Sequence, residues 1–493
     1  MAHMTTPHRL LVSTLILTAL LTGCTVGPDF KRPLPPEVAD YGASTAAGSV
    51  GSGAPQHIVA GGPVNRQWWQ EFGSAPLNAL IEEGLQASPT LAAARATLRQ
   101  AGEVYSAQAG SSLYPQVDGQ LSGQRQRLNP SALGQTGAPR EFSLYNAGVG
   151  VRYSLDLAGG NRRALEALAA RVDYQDYQLA GSRLTLAANI VTTAITRARL
   201  ARQIQVTEAI LLSHEEQLLL TRERVRLGQA AEDEALILAI QVEQSRATIP
   251  LLRKGLQQSN HLLLVLTGQA PGSGVLPAIP LEAFTLPSAL PLMVPSALVR
   301  ARPDIQAAEA LLHEANAEYG VAIANLYPQL NLSGDLATQA LTTGALFGSG
   351  SEVWSLVGQL TQPLFNPGLP ARKRAALAAF EAAAANYQTV VLEALRNVAD
   401  VLAALDNDAQ RLAALSAASK AAHQSQESMQ RRYGLGAASY IELLTAQQQA
   451  QQTRIDLIEA QAQRLANSAA LYQAMGGGVL TTKSKAGPAP GNE

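Results

Sequence analysis

The chain of 493 residues holds a single cysteine, Cys24, and its neighbours point to one chemistry for the thiol. An apolar run from Leu10 to Leu21 follows His8 and Arg9 and leads into Leu21-Thr22-Gly23-Cys24. About a dozen apolar residues are too few to cross a bilayer as a helix and suit a signal-peptide core. The tetrapeptide fits a lipobox: small residues admit the peptidase, and the thiol accepts a diacylglyceryl group before the new N-terminus is acylated. Residue 25 is Thr rather than Asp, so the usual inner-membrane retention signal is missing, and the outer membrane of a Gram-negative cell is the expected location. One lipid is a marginal anchor, which calls for a second membrane element. A lone cysteine excludes disulfides within the chain.

Other reactive constellations are missing from the sequence. Histidines 3, 8, 57, 214, 261, 313 and 423 lie far apart, none at a metal-ligand spacing. There is no nucleophile elbow, phosphate loop or acid pair at catalytic spacing, so neither an enzyme nor a metal or other cofactor is expected. A formal net charge of -1 gives no basic face for nucleic acid. Charged residues make up only 15%, against about 25% in typical soluble domains, so Ala, Gln, Ser, Thr and Gly must carry the surface.

The elements are arranged twice. Pro89, Ala93, Ala94 and Tyr105 recur 214 positions later as Pro303, Ala307, Ala308 and Tyr319, and Leu-Tyr-Pro-Gln stands at both 113–116 and 326–329. A second block, offset by 208, pairs Arg224, Gly228, Glu234, Leu236, Gln241, Gln244 and Arg246 with Arg432, Gly436, Glu442, Leu444, Gln449, Gln452 and Arg454. A unit of roughly 210 residues is too long for a solenoid repeat and reads as two similar halves of one structure.

Within each half the pattern changes in the same order. Ala and Leu recur at helical spacing from Pro89 to about Ser112, and Tyr-Pro then breaks the helix. From Tyr145 to Leu155 the odd positions are Tyr, Ala, Val, Val, Tyr and Leu, while the even ones are Asn146, Gly148, Gly150, Arg152 and Ser154. Tyr145 and Tyr153 would stand about 26 Å apart on a strand, near the height of an outer-membrane barrel's apolar band. Leu330 to Leu336 and Trp354 to Leu360 alternate likewise, so each half offers two strands joined by a loop of roughly 15 residues. Four strands cannot close a barrel, and open edges do not survive in hydrocarbon. Three copies would supply twelve strands and close the ring.

Behind the strands, 161–227 and 371–433 lack Pro and would reach about 95 to 100 Å as helices. Each ends at a glycine, Gly228 or Gly436, suited to a tight turn, and a shorter helix returns at 231–266 or 439–475. The expected fold is mainly α with a β-barrel part: a trimeric 12-strand transmembrane β-barrel continued by a 12-helix periplasmic α-barrel, with four strands and two helical hairpins per chain. The expected division is a signal peptide at 1–23, a lipidated N-terminal tether at 24–66, a first repeat at 67–266, an equatorial segment at 267–300, a second repeat at 301–476 and a tail at 477–493. The Gly/Ala/Ser-rich part of the tether, 41–63, reads as extended and poorly ordered.

These residues resemble the TolC-type outer-membrane factors, and among them the OprM and NodT group of lipoproteins. The resemblance rests on Cys24-Thr25-Val26-Gly27-Pro28-Asp29-Phe30 through Pro33, Trp68-Trp69 with Phe72 and Leu77, both Leu-Tyr-Pro-Gln blocks, Arg432 to Gly436, and Leu471 to Gly478. It covers essentially all of the chain beyond the signal peptide. It implies a homotrimer acting as a passive exit duct of a tripartite efflux system in the outer membrane, joined through a periplasmic membrane-fusion adaptor to an inner-membrane pump of the resistance-nodulation-division type. Drugs or other small molecules are the implied cargo.

Glu234 and Glu442 each lie six residues past a turn glycine. As bare residues they read as solvated acids near helix N-termini. The resemblance implies instead that Glu442 lines an acidic constriction, and with Glu234 and threefold symmetry gives a ring of six carboxylates that favours cations. The match is incomplete, because Thr445 stands where many relatives carry a second Asp, and Ala438 where TolC has an arginine that ties helices shut. Tyr433 remains as a latch, with Asp233 or Glu234 as its expected partner, and Ile441 aligns with an apolar constriction residue. A lipid-anchored periplasmic coiled-coil scaffold or adaptor, or the duct of a type I protein secretion system, stand as alternatives.

Overall fold

A computed structural model describes residues 25–38, 40–42, 56–62, 64–130, 134 and 136–478. The signal peptide, Cys24 and most of the tail lie outside them. The chain divides into two compact units, one made of the described residues of Met1–Arg32, Leu98–Gln175 and Ala308–Tyr387, the other of those of Pro33–Thr97, Asp176–Ala307 and Gln388–Glu493.

In chain order the elements are β1 (His57–Ala60), a 3₁₀ turn (Trp68–Phe72), α1 (Ala75–Ala87), α2 (Pro89–Leu113), β2 (Gln116–Leu128), β3 (Arg140–Leu155), α3 (Gly160–Arg226), α4 (Glu232–Leu266), β4 (Ala289–Leu292), α5 (Pro295–Ala301), α6 (Pro303–Ala324), β5 (Gln329–Ala340), β6 (Glu352–Thr361), α7 (Gly368–Gly434) and α8 (Tyr440–Ala474). The halves repeat as the sequence requires. α3 and α7 each have 67 residues, about 100 Å of helix, and α4 and α8 each have 35.

The first unit carries a four-stranded antiparallel sheet in the order β2-β3-β5-β6. The two hairpins join through β3 and β5, with Tyr145 opposite Ala340 and Leu155 opposite Leu330. This register sorts the sheet's faces. One row set holds Val117, Leu121, Val149, Leu336, Trp354 and Leu356; the other holds Asp118, Asn146, Arg152, Ser333, Asp335 and Gln359. On the polar face Arg152 meets Asp118 at 3.0 Å. On the apolar face Trp354 is 75% exposed, Leu356 78% and Leu121 80%, an unusual cost in water. The hairpin loops, 129–139 and 341–351, are shorter than expected because polar residues at the strand ends, such as Arg125 and Arg140, continue the pairing. Among the described residues no helix is long and apolar enough to cross a membrane.

The same unit holds a strap at the chain's described N-terminus. Val26 N–H donates to Ala158 O, three residues beyond β3. Arg163, almost fully buried, pairs with Asp29 and Glu166 at 2.7 Å each and donates to the carbonyls of Val26 and Gly27. Phe30 stacks on His313, and Arg32 reaches Glu309 at 2.5 Å. Gly27 is required here: its φ is +91°, and a Cβ would lie 2.9 Å from the Gly320 Cα. The part of the expected tether from Thr25 to Arg32 is therefore bound to the helices it passes.

In the second unit His57–Ala60, inside the stretch read as poorly ordered, pairs in parallel with Ala289–Leu292. Gln56 is buried and donates to Pro287 O and Ser468 Oγ, so order returns by residue 56 rather than after 63. Trp68, Phe72 and Tyr472 form the aromatic centre of this unit, with Trp68 stacked on Tyr472 at 5.4 Å.

Candidate functional site at the hairpin turns

The two hairpin turns are built alike. α3 closes with Gln229 N–H on Arg224 O at 2.8 Å and Gly228 at φ +73°; α7 closes with Ala437 N–H on Arg432 O at 2.8 Å and Gly436 at φ +70°. Each is a six-to-one helix-ending bond around a left-handed glycine.

The helices that leave the turns start differently. Ser439 caps α8: Glu442 Oε2 accepts from Ser439 N–H at 2.6 Å and from its hydroxyl at 2.8 Å, and Glu442 N–H donates back at 3.3 Å. These hydrogen bonds, from backbone and side chain in that order, hold the Glu442 carboxyl below its usual range. At the equivalent position α4 has Ala231, which offers no side-chain cap. Glu234 therefore lacks the capping role of its counterpart, and its charge acts on Arg224.

Arg224 is the residue that sequence reasoning missed. Its Nη1 donates to the Tyr433 hydroxyl, linking α3 to α7, and its guanidinium carbon lies 5.8 Å from the Tyr433 ring centre. Tyr433 was expected to bond Asp233 or Glu234. Those carboxylates stand on the first turn of α4, whereas the long Arg224 side chain reaches across from the last turns of α3 and takes the hydroxyl first. Tyr440 leans against Tyr433 with centroids 5.7 Å apart, and burial pushes its hydroxyl pKa up to about 12. The structure thus gathers Arg224, Glu234, Tyr433 and Tyr440. Asp233, Ile441, Glu442 and Thr445 remain exposed in the single chain, with Ile441 at 69%. Arg224 had a signal, since it is one of the seven repeated identities, but its pairing with Arg432 disguised it as a mark of duplication.

Above the turns, Leu218, Leu238, Val242 and Leu444 tie α3, α4 and α8 together. Farther along, His214 is buried between the hairpins. Gln451 Nε2 donates to its Nε2 at 3.0 Å, and its Nδ1 lies 3.3 Å from Ser245 Oγ. A ring nitrogen that accepts from an amide must be unprotonated, so this is a neutral imidazole. Burial lowers its pKa. The folded pKa lies below the unfolded one, so the stabilisation is complete above about pH 6.5 and is lost as pH falls through the folded value. Amide-exchange protection factors around His214 and Gln451, which remove the intrinsic pH dependence of exchange, are expected to fall as pH drops below about 6.5. His214→Gln should flatten that step; an equal step in the variant would count against His214 as its cause.

Among the described residues no group of His, Cys, Asp or Glu could hold a metal. What the fold offers is an amphipathic sheet, long helical hairpins and a cross-linked pair of turns. Two segments, residues 80–269 and 294–477, match the family model of the outer membrane efflux protein, one segment to each half of the duplication. The chain belongs to the outer membrane efflux protein family. It is 29% identical over 464 residues to the solvent efflux pump outer membrane protein SrpC of Pseudomonas putida, covering 93% of this chain and 96% of that one. It is 29% identical over 476 residues to the outer membrane protein OprJ of Pseudomonas aeruginosa, covering 95% of each. The solved outer-membrane channel OprN superposes with a TM-score of 0.84 at 27% identity, over 92% of this chain and 99% of that one. This protein is accordingly a passive exit duct of an efflux pump, not an enzyme; it spans the outer membrane and extends into the periplasm. A purely helical periplasmic scaffold would leave the amphipathic sheet without a purpose.

Proposed function

We propose that the chain works as a homotrimer whose three sheets close one β-barrel and whose hairpins close one α-barrel. The observation that carries this reading is the sheet itself: one face is apolar throughout its central rows, and among the described residues its outer strands β2 and β6 each pair with a single neighbour. Lipid suits the face, but an unpaired edge in hydrocarbon does not persist. Three sheets of four strands give twelve, an even count within the range of bacterial barrels. Single-particle imaging of the detergent-solubilised protein should give a threefold particle longer than about 100 Å, the length of α3, with a detergent belt at one end. A monomeric particle would overturn the reading.

The strap supports a lipid on Cys24, because it fixes Val26 beside the residues that follow β3, where a barrel strand would leave the membrane. The hairpin turns form the periplasmic gate, with Arg224 and Tyr433 as its latch and Glu234 and Glu442 as its acidic lining. A membrane-fusion adaptor and a pump of the resistance-nodulation-division type supply the energy, and organic solutes such as solvents or drugs are the cargo. Exchanging Glu234 and Glu442 together for Gln should lower the cation-to-anion permeability ratio severalfold in planar bilayers. A reversal potential unmoved under a salt gradient would remove the two acids from the conduction path.

A further inference from the structure

The internal duplication contains a comparison made within one chain. In the first repeat Arg246 is neutralised twice, by Glu215 at 2.7 Å and by Glu243 at 2.5 Å. Adding 208 to each number gives Arg454, His423 and Gln451. The arginine stands in both repeats, whereas the two carboxylates stand in the first alone.

The surroundings of Arg454 have changed in the same sense. It lines a cavity of about 650 Å³ bounded by α3, α7 and α8, together with Lys420, His423, Gln451, Ser419 and Ser213. Lys420 stands where the first repeat has Leu212, which adds a cation. Among the described residues neither Lys420 nor Arg454 has an ion pair, and the one acid in contact with this group is Glu427, 3.3 Å from His423. Gln451 is held in place by its hydrogen bond to the buried His214. The open cavity thus presents two exposed cations without an ion-pair partner among the described residues, serine hydroxyls, and Gln451 held by its hydrogen bond.

We propose that this cavity is a binding site for a carboxylate-bearing ligand, which returns to Arg454 the acid that its counterpart Arg246 finds in Glu215 and Glu243. A guanidinium offers a carboxylate two parallel donors, and a second cation nearby favours a polycarboxylate. The carboxylates come from a small periplasmic solute or from the acidic side chains of a docked protein segment. The cavity is lined by residues of one chain and lies away from the hairpin turns.

Isothermal titration of citrate into the detergent-solubilised full-length protein at low salt tests the site, with hexaglutamate as a second probe. Citrate is expected to bind, about tenfold or more weakly after Arg454→Gln, and to be lost after His423→Glu, which puts back the acid found at Glu215. Arg246→Gln is the control and should leave binding unchanged. Hexaglutamate binding without citrate binding, with the same response to the variants, supports the site and assigns its ligand to a protein. Binding of neither probe, or binding indifferent to both Arg454→Gln and His423→Glu, overturns it. Unchanged unfolding midpoints without ligand separate a lost site from a lost fold.

Discussion

Trp68→Ala is expected to lower the stability of the second unit by about 3 to 5 kcal/mol, the range for removing a large aromatic from a packed interior. Trp68 is 1% exposed, lies face to face with Tyr472 and meets Phe72 edge-on at 6.3 Å. Burial pushes the Tyr472 hydroxyl pKa up to about 12. The turn that follows α8 is pressed against this group: Gly477 has φ +62°, and a Cβ there would meet Leu184 at 2.3 Å and the Trp68 indole nitrogen at 3.4 Å. An alanine at 68 leaves a void that the neighbouring helices can fill only in part. The measurement is thermal unfolding followed by far-UV circular dichroism in detergent, with Trp68→Phe expected to recover most of the loss. Trp354→Ala supplies the contrast, because Trp354 lies open on the sheet's apolar face and has little protein packing to lose. Equal losses at the two positions would refute the assignment of Trp68 to a packed centre.

The elements that were legible in the sequence are those whose signal is local or repeated. Alternation from Tyr145 to Leu155 declared a strand because period two sorts side chains to opposite faces. The long helices were legible from the absence of Pro and turn residues in 161–227 and 371–433, and their ends from Gly228 and Gly436, which recur in register. Contacts between distant segments were not legible. Nothing near Arg163 shows that it will be buried against Asp29, 134 positions earlier, and nothing near Gln56 shows a hydrogen bond to Ser468, 412 positions later. The strap was therefore read as tether. Tyr433 is the same case: a helix surface shows which residues share a face, not which helix will lie against it, so the nearer acids were preferred to Arg224. The difference between Glu442 and Glu234 was present in the sequence as Ser439 against Ala231, since a serine three residues before a glutamate marks a capping box.

The link between Arg224 and Tyr433 carries the second large expectation. A hydrogen bond from a charged donor contributes about 1.5 to 3 kcal/mol, and each 1.4 kcal/mol is tenfold in an equilibrium. If the link exists only when the turns are drawn together, losing it shifts each chain toward the open arrangement by about tenfold or more. Tyr433→Phe keeps the ring against Tyr440 and removes only the acceptor, so the fold should persist while single-channel conductance in planar bilayers rises. Arg224→Ala should raise it further, because Glu234 then loses the cation that its charge acts on. Glu234→Ala added to Tyr433→Phe should raise conductance above Tyr433→Phe alone for the same reason. Arg224→Ala combined with Tyr433→Phe should conduct no more than Arg224→Ala by itself, since both remove one bond and their effects cannot add. Unchanged conductance in Tyr433→Phe and Arg224→Ala would mean that the bond survives opening and closes nothing. Additive increases would mean that the two side chains act through separate contacts, with Tyr440 the remaining partner of Tyr433.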